Sequence, residues 1–508
     1  MSNDGGDAVV VGNWVAQRAL VAPEATALEF MGREMTYREL EEASSELALA
    51  LLRTGLVPGD RIATLSENRP EQVVLLFACA KAGLVLAPLN WHLAASELDV
   101  LLELIDPARL ILSSARFAEL GALEVVAGRS PLILERLASD LPNVRGDVTL
   151  PEVGEDDPLF LIATSGTTGT PKGALLTHAN CYWTNRGLDE LMPVSPSDVI
   201  LQVLPQYHVG GWNVQPLLAW QKGAKVVLEP AFDVARVLEL LATRGVTTMM
   251  GVPTNYLLLA QDPGFEDADL TSLRSVVVGG AAMPRTLADQ WFARGVAVAQ
   301  GYGLTEASPN VCCLLPEDLA SHPGYVGQPY PYVEVALRNE CGETVDGPGR
   351  GEMWVRGRNV FAGYWRNQKA TDDVVRDGWL RTGDVAERDE SGYYRISGRT
   401  KEMFVSGGEN VYPVEVERVL TSYPDVADAA VIGVSDERWG ERGVAFVVAR
   451  RGTTLDVEGL FEHCRTFLAA FKVPRVIEVI DELPRTHVGK VDKIALSVRL
   501  LEETSVSR

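Results

Sequence analysis

The chain has 508 residues, 46% hydrophobic and 23% charged, a globular balance too long for one ordinary domain and with apolar material enough to need no disulfide or metal staple. A formal charge of −23 argues against a general nucleic-acid or anionic-membrane surface, because both would repel it. Six cysteines without CxxC pairing fit a reduced, cytoplasmic protein; the start lacks the basic and apolar regions of a secretory leader, and the apolar run near 73–89, broken by Lys81, is too short to span a bilayer.

In chain order, helix-like and strand-like periods alternate. Residues 37–52 predict an amphipathic helix, followed by a Gly-Asp turn and a strand at 61–65. Residues 71–82 predict a second helix and 84–88 a buried strand; 198–204, 225–228 and 275–278 repeat the pattern. Such alternation implies layered α/β sheets. Beyond about Val333, short strands at 334–338, 351–355 and 392–397 between Gly-rich turns suggest a small β-rich subdomain. After it, a helix at 413–420, strands at 426–434 and 444–449, and a helix at 455–468 provide for a separate α+β domain. The expected division is therefore 1–397, a hinge at 398–402, and 403–508.

The most informative stretch is Thr164-Ser165-Gly166-Thr167-Thr168-Gly169-Thr170-Pro171-Lys172-Gly173, after a strand-like run at 158–163 and before a helix expected to begin at Thr177. Its glycines let the backbone turn tightly, its hydroxyls add donors, and Lys172 adds charge, which together make a cradle for a polyphosphate. By composition alone it could equally be a polar surface loop. It is not a Walker loop, because Pro171 rather than Gly precedes Lys172 and Gly173 rather than Ser or Thr follows it.

This segment resembles the phosphate loop of the adenylate-forming superfamily, which includes acyl-CoA synthetases, aryl-CoA ligases, luciferases and peptide-synthetase adenylation domains. Further matches recur in the family's order. They are Tyr302-Gly303-Leu304-Thr305-Glu306, Trp379 with Thr382-Gly383-Asp384, Gly398-Arg399-Thr400-Lys401-Glu402, the run from Gly407 to Glu417, and Pro484 to Lys490. Lysine usage agrees: of nine lysines in the chain, Lys172, Lys401 and Lys490 fall in these motifs.

The resemblance implies an α/β fold: a large layered N-terminal domain with a β-rich subdomain, plus a small mobile α+β C-terminal domain. It also implies an AMP-forming ligase that converts a carboxylic acid to acyl-AMP and then to acyl-CoA, using ATP, Mg²⁺ and coenzyme A. The phosphate loop, Thr164 to Lys172, would embrace the terminal phosphates. Glu306 would hold the metal with Thr305 near the α-phosphate, beside Gly301, Tyr302 and Gly303. Asp384 would accept both ribose hydroxyls, helped by Arg399. Lys490 would stabilise charge at the α-phosphate, and Lys401 would be the pivot of a rearrangement between half-reactions. Gly407 and Gly408 would line the pantetheine tunnel, with Trp439 and Lys472 contacting the rest of coenzyme A. His208, Gly210, Trp212, Gly280, Ala281 and Gly303 would form the acyl pocket, with Trp212 closing one end. No basic residue stands out there to pair a second carboxylate, so dicarboxylic acids are disfavoured while aromatic and medium-chain aliphatic acids both remain open. A stand-alone adenylating enzyme serving a carrier-protein thiol is the alternative, and a non-catalytic scaffold a more distant one. A monomer or homodimer is expected, with no nucleic-acid partner.

Overall fold

The structure, a computed structural model, describes residues 8–141, 148–164, 171–399, 402–406, 409–436, 439–468, 470–486 and 489–506. The chain forms two compact units: Met1–Val335 with Val355–Arg381, and Ala336–Trp354 with Thr382–Arg508. Residues 336–354 and 382–399 thus group with the C-terminal part of the chain.

The first unit carries a nine-stranded and a seven-stranded sheet. Local signals place its helices. In Tyr37–Arg53, Thr36 and Glu39 form a reciprocal capping box, and Leu40, Leu47, Ala48 and Leu51 recur on one buried face. Pro70–Ala82 opens on its proline, is buried nearly all round, and stops at Gly83, whose φ of 67° only a glycine adopts readily. The strands Arg61–Leu65, Val85–Leu89 and Arg109–Leu112 lie parallel in the seven-stranded sheet, their apolar runs covered on both faces.

The segments expected to form the acyl pocket follow strands of the nine-stranded sheet. Val199–Gln202, Thr248–Gly251, Ser275–Val278 and Ala297–Gly303 are parallel and adjacent in that order. Their C-terminal ends therefore line up along one edge, where open parallel sheets place ligands. The phosphate loop departs from the expected strand–loop–helix. Lys172–Thr177 is a strand that pairs antiparallel with Pro158–Thr164, Thr164 facing Lys172, so the two strands are the arms of a hairpin. The helix follows as His178–Leu191, capped by Thr177 as its sequence indicates.

In the second unit, Gly440–Ala449 is the central strand of a five-stranded sheet with both faces covered, paired antiparallel with Val426–Asp436 and parallel with Val476–Val479. Val431, Ala445 and Val447 pack with Leu420 and Leu460 on one face; Ile432, Val444 and Phe446 pack with Leu483 and Leu496 on the other. Odd and even positions of the same strands thus serve two cores, as a pleat of period two requires.

Candidate active site

On the first unit, three distant segments meet. The Lys172 ammonium lies over the ring of Tyr364, 4.7 Å from its centroid, and the Tyr364 hydroxyl donates to Glu306 Oε1 at 2.7 Å. Gly363–Tyr364 is a short edge strand on the hairpin, with Tyr364 facing Ala174, which fixes the ring beside the lysine. Burial, then the charge and acceptor of Glu306, push the Tyr364 phenol well above its ordinary range, so it stays a donor. Thr164 borders the hairpin tip, its hydroxyl donating to the Lys172 carbonyl at 3.4 Å; Pro171 is half-buried. Ser165, Gly166, Thr167, Thr168, Gly169 and Thr170 lie outside the described residues.

Glu306 is held by its backbone as well. Phe361 N–H donates to the Glu306 carbonyl at 2.9 Å, and buried Asn359 donates to the carbonyls of Ala307 and Asn310 at 3.0 and 2.9 Å. Gly303 has no room for a side chain: a Cβ would stand 1.7 Å from the Pro309 carbonyl oxygen, which accepts from Leu304 N–H. Thr305 begins this turn and Gly301 and Tyr302 lead into it, all three half-buried.

These residues fit Mg²⁺ in one specific way. Tyr364 occupies one oxygen of Glu306, and Oε2 has no hydrogen-bond partner among the described residues. Among the described residues no cluster of three or more metal-ligating side chains exists. A single hard oxygen, completed by phosphate and water, is how Mg²⁺ is ordinarily bound beside a nucleotide.

Beyond the C-terminal ends of the nine-stranded sheet's parallel strands, Gly280 and Ala281 are exposed and Gly210 is half-buried. A Cβ on Gly280 would meet Val252 at 3.4 Å, and the Met250 methyl lies 4.0 Å from the Cβ position of Gly210 and 2.7 Å from that of Gly279. His208 is half-buried, its ring tilted on Tyr207 at 4.7 Å. Trp212, expected to close the channel, is instead fully buried: Nε1 donates to the Gln206 carbonyl at 2.5 Å, and its ring leans on Phe160 of the other sheet, 5.8 Å between centroids. An indole buried against the seven-stranded sheet presents no surface to a ligand.

On the second unit, Asp384 and Arg399 stand opposite each other in antiparallel strands, and Arg399 Nε donates to Asp384 Oδ1 at 2.9 Å. Asp384 is buried, and its own N–H donates to the Thr382 hydroxyl at 3.1 Å across Gly383, at φ 73°. Lys490 is exposed on a tight turn: Thr486 N–H donates to the Lys490 carbonyl at 2.7 Å, Gly489 sits at φ 77°, and Arg485 ties the turn to Asp428. Lys493 reaches Glu402 Oε2 at 2.9 Å and Glu417 Oε1 at 2.8 Å, joining the segment after Lys490 to the residue after the expected pivot. Lys472 pairs with Glu415, which also holds Arg350 at 2.8 Å; Trp439 lies under Arg475 at 4.8 Å. Lys401, Gly407 and Gly408 lie outside the described residues. The residues that sequence reasoning missed are Tyr364 and Met250. Gly363-Tyr364-Trp365 was the available signal for the first, and nothing marked the second.

Lys172 and Glu306 thus meet at Tyr364 on one unit, and Asp384 pairs with Arg399 on the other. The family model of the AMP-binding enzymes matches residues 15–365, and that of the AMP-binding enzyme C-terminal domain matches 415–490; the chain belongs to this family. Among its relatives are a feruloyl-CoA synthase of an Amycolatopsis species, 41% identical over 95% of this chain and 97% of that protein, and the indoleacetate–CoA ligase of Aromatoleum aromaticum, 37% identical over 94% and 96%. The o-succinylbenzoate CoA synthetase of Bacillus subtilis, solved with ATP and magnesium, matches with a TM-score of 0.84 at 30% identity over 94% of this chain and 98% of that one. Within the family the chain is thus an AMP-forming acid–thiol ligase of the acyl-CoA and aryl-CoA synthetase type.

No helix among the described residues is long and apolar enough to cross a membrane.

Proposed function

We propose that this enzyme activates an aromatic monocarboxylic acid, with ATP and Mg²⁺, and transfers the acyl group to coenzyme A in a reducing, cytoplasmic setting. The observation that carries the acid class is the make-up of the segments at the C-terminal ends of the nine-stranded sheet's parallel strands. Segments 207–212, 250–252, 279–283 and 301–303 contain no lysine or arginine, and exposed Gly280 and half-buried Gly210 present no side chain there. A second carboxylate would lack a fixed cation there, and burying it unpaired is costly. The feruloyl and indoleacetate ligases named above support the same class.

Two anions must meet in the first half-reaction, so the protein's work is neutralisation and positioning. A carboxylate oxygen of the acid attacks the α-phosphorus, and the bond to pyrophosphate breaks. Lys172 and the hairpin tip hold the terminal phosphates, Asp384 accepts from the ribose hydroxyls with Arg399 steadying it, and Lys490 supplies charge as the anion develops. Glu306, through its open oxygen, would hold Mg²⁺, which offsets phosphate charge. In the second half-reaction the thiol sulfur attacks the acyl carbon, loses its proton, and AMP leaves.

The test is pyrophosphate and AMP release from a panel of aryl, straight-chain and dicarboxylic acids, with and without coenzyme A. Aryl monocarboxylic acids are expected to lead, with AMP release dependent on the thiol. Faster turnover of dicarboxylic acids would overturn the acid class; release unaffected by coenzyme A would overturn the acceptor.

A further inference from the structure

Tyr364 is the contact shared by two opposite charges. Lys172 faces its ring at 4.7 Å and Glu306 accepts from its hydroxyl at 2.7 Å, and among the described residues the two charges are not paired with each other. All three side chains are half-buried, where attraction between an ammonium and a carboxylate is several times stronger than in water. An aliphatic residue at 364 would remove both contacts and leave the two charges free to pair with each other. The collapsed pair would compete with the nucleotide for Lys172, because phosphate could bind only after the carboxylate let go.

We propose that Tyr364 is a positioning residue that holds Lys172 and Glu306 apart, keeping the cation free for phosphate and the carboxylate open before nucleotide arrives. The ring does this by its two ends: the π-face satisfies the ammonium, and the hydroxyl satisfies one carboxylate oxygen. The proposal rests on the reading that Lys172 and Glu306 face the nucleotide.

The experiment is calorimetric binding of α,β-methylene-ATP in EDTA, which removes both turnover and metal from the readout. Tyr364→Phe keeps the ring and is expected to bind within about threefold of the parent. Tyr364→Leu is expected to bind about five- to tenfold more weakly, the scale of one partly buried charge pair. Glu306→Gln in the Tyr364→Leu background is expected to restore binding to within about threefold of Glu306→Gln alone, because no pair can then form. Thermal melts check folding, and Tyr364→Met takes the place of the leucine variant should that one not fold. Parent-like binding by Tyr364→Leu, or a double variant as weak as Tyr364→Leu, would overturn the proposal and leave the ring a packing element. Lys172→Ala separates the two levels. If it leaves binding unchanged, the nucleotide reading fails and this proposal with it; if it weakens binding while Tyr364→Leu does not, only the proposal fails.

Discussion

His178 opens the helix behind the phosphate-loop hairpin and is fully buried. Its Nδ1 accepts from Val11 N–H at 3.1 Å, so the neutral ring carries its proton on Nε2. Burial lowers its pKa from 6.5 to about 4, with Asp157 opposing as the nearby charge. The unfolded chain therefore binds more protons than the folded one between those values, and stability falls as pH drops through that window. It is fully present above the unfolded value and exhausted below the folded one. Linkage gives a loss of about 2 kcal/mol between about pH 7 and pH 5 from this ring alone. His178→Asn keeps an acceptor for Val11 and does not titrate. The assay is urea unfolding of parent and variant across that range, followed by tryptophan fluorescence. The variant starts less stable at neutral pH, yet should lose about 2 kcal/mol less on acidification. Equal losses in the two proteins would refute the reasoning, because the ring would then be titrating alike in both states.

Three further outcomes follow from the geometry. Lys490→Ala should slow adenylation by about 10²–10³, the cost of one preorganised charge, while thioester formation from supplied acyl-adenylate changes far less; separate assays of the half-reactions check this, and equal loss in both contradicts it. Lys493→Met should destabilise the second unit by about 3–5 kcal/mol, because burial already raises the pKa of Glu417 and the substitution removes its counter-charge. Adding Glu417→Gln should recover most of that loss in a melting experiment. Gly303→Ala should lower the melting temperature and cut pyrophosphate release at least about tenfold, since the new methyl must push the Pro309 backbone carbonyl and with it the Glu306 turn; parent-like melting and release would contradict this.

Much of this architecture is legible in periodicity. Arg61–Leu65, Lys225–Leu228 and Ser275–Val278 appear where their apolar runs place them, because strands buried on both faces read as short continuous blocks. The strand Lys172–Thr177 was not legible: it follows a Ser/Thr/Gly tract, and the helix cap at Thr177 drew the reading past it. Asp384 and Arg399 could each be proposed from motifs, but their pairing is a matter of register between strands, which no local pattern encodes. Trp212 stood in a suggestive context, yet its burial depends on Phe160 from the other sheet. Tyr364 escaped because a two-residue edge strand has no period to detect. Trp212→Ala is accordingly expected to open a void in the core rather than lengthen a substrate channel.

The two-faced sheet of the second unit bears on how the protein can be handled. Leu496, on the helix Lys493–Val506, is fully buried against the face that carries Ile432 and Phe446. A truncation soon after Lys490 would keep every motif yet strip the cover from that face. The trimmed protein would expose a contiguous apolar surface and should self-associate, even with its nucleotide-facing residues intact. Affinity tags and fusion partners on this side therefore need a spacer that lets the final helix dock, whereas shortening the chain to its last recognisable motif would yield aggregates that imitate a catalytic defect.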